Sequence, residues 1–246
     1  SVLQADLGIR QDTLAQICLA QIAALNGRAA TAYRLLQGLA EGADRPAVTR
    51  GTTTLNTAVP TGWIDGLLAD IAERRGDHAA AERHYRAAVR AGNADLYVLL
   101  GYADFLLDRN RPGEVGSLLQ AHRAADGALL RLALAAQRNA DAGAAHAREE
   151  LRARFAAARA RGGNPHLREE ARFTLSLLND PQAALPLAVA NWALQREPVD
   201  TRLLLETALA ARQPQAAQAT LTWLAQTRLE DVRLYPLVQA LRSSAP

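Results

Sequence analysis

The chain has 246 residues, with 28 Lys+Arg against 25 Asp+Glu for a formal charge of +3, 49% hydrophobic residues and 4% aromatics. These numbers fit a folded chain, and the lack of any apolar run of about 20 residues excludes a membrane-spanning helix. Cys18 is the only cysteine, which excludes an intramolecular disulfide. Alanine makes up about a fifth of the chain, well above common usage. Alanine and leucine together favour helix and close helix–helix approach over strands. Every basic residue is arginine, and methionine is absent. That bias points to a GC-rich, bacterial source. A chain starting Ser1-Val2-Leu3-Gln4 reads as a processed or truncated product, which favours export to the periplasm over the cytoplasm.

From the start of the chain, Leu14, Ile17, Cys18, Ile22 and Leu25 fall at helical spacing and predict a first helix. Cys18 reads there as a small buried hydrophobe. Asn26-Gly27 ends that helix, and Ala32, Leu35, Leu36 and Leu39 predict a second. Residues 40–61 carry Gly42, Pro46, Gly51, Pro60 and the threonines Thr49, Thr52, Thr53, Thr54 and Thr57, and read as a long flexible loop. Two helix pairs follow at 62–95 and 96–128. A third pair spans 129–161, with a turn near Asn139 and a long second helix stopped by Gly162-Gly163-Asn164-Pro165. The next pair covers 166–198, turning at Asp180-Pro181 with the proline in the first turn of the second helix. Asp200 is the expected N-cap of a helix over 201–212, and Gln213-Pro214 turns into 215–226. A terminal helix is expected over 230–242, kinked near Pro236.

Gly76 and Asn110 lie 34 residues apart, and their surroundings match position by position. Leu68, Ala69, Ala72, Ala81 and Tyr85 correspond to Tyr102, Ala103, Leu106, Val115 and Leu119. A fixed period in this range signals a helical repeat array, in which each pair buries one face and stacking makes the core continuous.

This pattern resembles the tetratricopeptide repeat. With Gly76 at the turn, Leu68, Ala69, Ala81, Tyr85 and Ala88 stand where that family places its large, small and aromatic signature residues. The resemblance is strongest over 62–120 and looser beyond. It implies an all-α chain, a right-handed α-solenoid of stacked antiparallel helix pairs. On this reading residues 1–246 form one repeat domain with units at 13–39, 62–95, 96–128, 129–161, 166–198 and 200–227, plus the terminal helix. Leu68, Ala69, Ala81 and Tyr85 should be buried.

Chemistry-bearing patterns are sparse. The five histidines form no zinc-binding spacing, and His146 with Glu149 or Glu150 reads as a solvated face. Glu149-Glu150 and Glu169-Glu170, with Arg148, Arg152 and Arg168 nearby, read as surface ion pairs. No catalytic constellation, metal site or cofactor motif emerges, so the expectation is a non-enzyme without cofactor. Residues 121–172 are the most basic stretch, but they lack the stacking aromatics that a nucleic-acid face wants.

The resemblance also implies a ligand groove. At 100° per residue, one side of each first helix gives Trp63, Gly66, Asp70, Glu73 and Arg74, then Tyr97, Leu100, Asp104, Leu107 and Asp108. The candidate groove residues are Trp63, Asp70, Arg74, Tyr97, Asp104 and Asp108. Aromatics beside acids suit a peptide with hydrophobic and cationic groups. Alternatively, Trp63 and Tyr97 pack against adjacent helices or the 40–61 segment. The expected function is a scaffold or adaptor that binds a protein or peptide. The alternatives are an accessory domain of a larger enzyme or secretion assembly, and an RNA-binding helical repeat.

Overall fold

The computed structural model describes residues 13–43, 61–92, 94–162 and 166–244. The described residues are all-helical: thirteen α-helices and three short 3-10 segments, with no strand among them. In chain order the α-helices are α1 (Thr13–Leu25), α2 (Ala29–Ala43), α3 (Thr61–Arg74), α4 (His78–Arg90), α5 (Leu96–Asp108), α6 (Val115–Leu119) and α7 (Asp126–Arg138). They continue as α8 (Gly143–Ala160), α9 (Leu167–Ser176), α10 (Pro181–Leu194), α11 (Pro198–Ala210), α12 (Gln218–Thr227) and α13 (Tyr235–Ser243). Packing is chiefly between helices adjacent in sequence, as in α1 with α2, α3 with α4, α7 with α8 and α9 with α10. The chain divides into two compact units. Unit 1 takes in the described residues up to Val98 together with Thr227–Val232, and unit 2 takes in Leu99–Gln226 with the described residues from Arg233 onward.

One backbone device recurs in both units. The turn inside each helix pair holds a residue at positive φ: Gly27 (67°), Gly76 (79°), Asn110 (55°), Ala140 (52°), Asn179 (54°) and Arg212 (56°). The amide one residue beyond four of these reaches back five residues, from Arg28 to Ala23, Asp77 to Ala72, Arg111 to Leu106 and Asp141 to Ala136. Gln213 does the same to Ala208. This bond satisfies a carbonyl that the helix end would otherwise orphan. Gly76 and Asn110 are therefore equivalent positions of one turn design, which is the physical content of their 34-residue spacing.

In unit 1, Ile64, Leu68, Ala69 and Ala72 of α3 are buried with Ala81, Tyr85 and Ala88 of α4, so the four core positions read from the sequence are core. Gly66 is a close-approach glycine, because a Cβ there would run into Val98 in the first turn of α5. Asp77 caps α4, its carboxylate accepting from Ala80 N at 3.0 Å. In unit 2, Phe105, Leu106, Leu119, Leu129, Leu130, Leu151 and Phe155 form the centre of the core. Asp180 caps α10 by accepting from Ala183 N at 3.0 Å, with Pro181 in the first turn as expected.

Several expectations need correction. Cys18 is exposed, and the buried face of α1 is Ile17, Ala20 and Ala24 instead. The stripe of small residues lets the two helices approach, and it rotates Leu14, Leu19 and Ile22 outward. Helix α2 runs on to Ala43, so the expected loop begins later, and its residues 44–60 lie outside the described residues. The second helix of the 96–128 unit is a single short α-segment flanked by 3-10 turns at Pro112–Glu114 and Gln120–His122, since Pro112, Gly113 and Gly116 all weaken helix. Asp200 is not an N-cap. Helix α11 starts earlier, with Glu197 as N-cap and Asp200 reciprocating from the third position, and Asp200 is buried. Pro214 opens a 3-10 turn, so α12 begins at Gln218. Pro236 sits in the first turn of α13 and starts that helix rather than kinking it. Helix α8 ends at Ala160 with Gly162 in the left-handed region, and Gly163, Asn164 and Pro165 lie outside the described residues.

Candidate partner-binding face

Four of the sequence-derived groove residues belong to unit 1, and they divide by environment. Trp63 is half-buried and Tyr97 is 57% exposed. The Asp70 side chain is 37% exposed and accepts from Arg74 Nε at 3.0 Å, one helical turn along. Arg74 does not face a groove. It is 1% exposed, donates from Nη1 to the Ala24 carbonyl at 3.2 Å, and its own carbonyl accepts from Val232 N at 2.8 Å. Glu73 and Gly66, on the same nominal side, are also buried, and Glu73 accepts from the Tyr85 hydroxyl at 3.1 Å. The reason is local. The C-terminal end of α3 meets the end of α1 through the Arg74 side chain and the 227–232 segment through the Arg74 carbonyl, so helical phase alone does not decide exposure there.

Unit 1 also holds a polar chain that no sequence pattern reveals. The Tyr33 hydroxyl lies 2.8 Å from His84 Nε2, and His84 Nδ1 lies 2.8 Å from Asp65 Oδ1. An ionised carboxylate can only accept, so Nδ1 carries a proton toward Asp65, and in the neutral ring Nε2 then accepts from Tyr33. Burial, then the negative charge of Asp77, pushes the Tyr33 hydroxyl above its ordinary pKa. The Arg75 guanidinium covers the Tyr33 ring at 5.2 Å. A hydroxyl, imidazole and carboxylate in line have the geometry of an activated nucleophile. The three side chains also tie α2, α3 and α4 together.

In unit 2 the two remaining groove candidates are occupied by the chain's own arginines. Asp104 accepts two bonds from Arg131, from Nε at 3.0 Å and Nη2 at 2.6 Å, and a third from Arg172 Nη1 at 2.6 Å. Asp108 is held by both terminal nitrogens of Arg202, one of them at 3.1 Å. Arg202 also donates to Glu206 at 2.7 Å. Burial of Asp104 opposes its ionisation, but the two guanidinium groups outweigh burial and lower its pKa from 3.8 to about 2. Arg172 and Arg202 are held further in their charged forms by the acids they meet, against the cost of their own burial. The pairing partners lie 27, 68 and 94 residues away, which no helical periodicity reveals.

The remaining charged residues of unit 2 follow the same logic. Arg168 bonds Asp200 at 2.6 Å and Glu197 at 2.6 Å, and Asn191 adds a bond to Asp200 at 2.6 Å. Arg152 with Glu149 is the exposed pair that the sequence predicts. Glu170, by contrast, is buried and meets Arg159 rather than a solvated neighbour. A cleft of about 480 Å³ lies beside α7, floored by Leu129, Leu132 and Ala136 and rimmed by Arg123, Asp141 and His146. Among the described residues no group of three or more His, Cys, Asp or Glu is placed to hold a metal ion. No helix among them is long and apolar enough to cross a membrane.

Comparison with family models, curated proteins and solved structures found no match to this chain.

Proposed function

We propose that this chain is a tetratricopeptide-type α-solenoid, a right-handed stack of helix pairs, acting as a non-catalytic scaffold or adaptor that holds a protein or peptide. The observation that carries this reading is the recurrence of a positive-φ turn residue in six successive helix pairs, from Gly27 to Arg212, five of them closed by the same five-residue bond. The burial of Leu68, Ala69, Ala81 and Tyr85, matched by that of Tyr102, Ala103, Val115 and Leu119, supports the same register. Repeats built this way grow extended faces, whose usual occupants are other polypeptides.

The environment of the acids changes the chemistry expected of the partner. Asp104 and Asp108 are neutralised internally, and Arg74 is buried. Recognition then rests on Trp63, Asp70 and Tyr97 of unit 1, an aromatic-led surface of the kind that carries binding energy in small interfaces. The test is capture of a partner from the source cell, reconstitution with purified components, and titration against Trp63→Ala and Tyr97→Ala. Each variant should keep its helical circular dichroism and lose about tenfold or more in affinity. Two folded variants that bind as tightly as the parent would overturn the assignment of this face.

A further inference from the structure

We infer that Asp104 and Asp108 form a clasp that holds the inner helices of unit 2 together and keeps the face between α5 and α11 shut. The inference does not rest on the peptide-binding proposal. In an array of repeats each pair normally touches only its neighbours. Here two carboxylates on one helix, four residues apart and so on one face, gather guanidinium groups from the first helices of the three following pairs. Arg131 comes from α7, Arg172 from α9 and Arg202 from α11. The first is a neighbour contact. The other two reach past intervening pairs, and Asp108 to Arg202 skips both α7 and α9.

Three features argue that this is a built device rather than incidental surface pairing. The side chains are withdrawn from solvent, with Asp104 19%, Arg131 5% and Arg172 20% exposed. The charges balance, three acids (Asp104, Asp108, Glu206) against three arginines, and two of the pairs are bidentate. Asp108 is also the last residue of α5, where a carboxylate opposes the helix dipole unless cations answer it. With Asp108 and Arg202 in direct hydrogen-bond contact, no ligand passes between α5 and α11 without parting them. The part of the sequence-marked face that carries Asp104 and Asp108 is therefore closed until the clasp opens, while Trp63, Asp70 and Tyr97 lie outside it.

A distance measurement between the two helices in the full chain tests this. Spin labels are placed at Arg109→Cys and Ala210→Cys, both exposed positions just beyond α5 and at the end of α11, with Cys18→Ser removing the exposed native thiol. Asp108→Arg sets two guanidinium groups against each other and should shift the label distance outward and broaden it. Asp108→Arg combined with Arg202→Asp restores an opposite-charge pair and should return the distribution toward that of the parent. Asp108→Asn, which keeps the shape and removes the charge, should broaden the distribution without repulsion. An Asp108→Asn or Asp108→Arg protein with helical circular dichroism and the parent's distances would overturn the clasp. So would a charge swap that leaves the distances as long as in the single reversal.

Discussion

Gly66 decides how closely α3 and the first turn of α5 approach, because the space a Cβ would need is filled by the Val98 side chain. Neither residue can yield cheaply: Val98 is β-branched and 5% exposed. Gly66→Ala should therefore overpack the contact and destabilise the protein by about 1–3 kcal/mol, even though alanine suits a helix interior better. Urea denaturation measures the loss. Gly66→Ala with Val98→Ala should recover part of it, which a purely local helix effect would not do. The same site shows what was legible at this scale. Helical phase puts Gly66 beside Trp63 and Asp70 on one side of α3, yet only the structure shows that side crossed by another helix. Arg74 carries the same lesson. Its phase is that of Asp70, but the helix end meets the backbone of Ala24, and an amphipathic stripe says nothing of what covers its last turn. Cys18 is exposed for the opposite reason: Ala20 and Ala24 take the buried line that helical spacing assigns to larger residues.

At the scale of the element, the turn sets the repeat, and turns were legible where glycine or asparagine marked them. Gly27, Gly76 and Asn110 announce positive φ, because a left-handed backbone costs little there. Ala140 and Arg212 occupy the same conformation with a full side chain; the sequence places their turns, near Asn139 and at Gln213-Pro214, but no residue preference marks which residue is left-handed. The strain is a handle. Ala140→Gly should relieve a left-handed alanine and stabilise the α7–α8 pair by up to about 1 kcal/mol, the conformational gain exceeding the added freedom of the unfolded chain. Chemical denaturation should show a raised midpoint with unchanged slope. An unchanged or lowered midpoint would mean that the turn is held at no cost by its Asp141 to Ala136 bond. Helix boundaries were less legible. Asp200 has the right chemistry for a cap, and both it and Glu197 take part in one. The sequence cannot rank the two, because what decides it is the burial of Asp200 against Arg168 and Asn191.

At the scale of the whole molecule, a chain with a charge of only +3 contains many ions that see one another rather than water. The acid limb of its stability should report the Asp104 site. The Asp104 carboxyl titrates at about 2 in the folded chain, against an ordinary value of 3.8. A depressed folded pKa means that the unfolded chain takes up the proton first as acid is added. The stabilisation is thus complete above about pH 4, fades as pH falls toward 2, and is gone below that. The difference corresponds to about 2 kcal/mol, and the side chain is sufficiently enclosed, at 19% exposed, for solvent screening to leave most of it. Asp104→Asn should remove this contribution at neutral pH and flatten the stability profile between about pH 4 and 2 relative to the parent. At neutral pH the variant loses more than the titration alone implies, because Arg131 and Arg172 stay enclosed without their shared acid. Urea midpoints measured across that window separate the two effects. A parallel pair of profiles, offset but equally steep, would show that Asp104 is structurally needed yet not ionised below its ordinary range, and would place the acid sensitivity on other carboxylates.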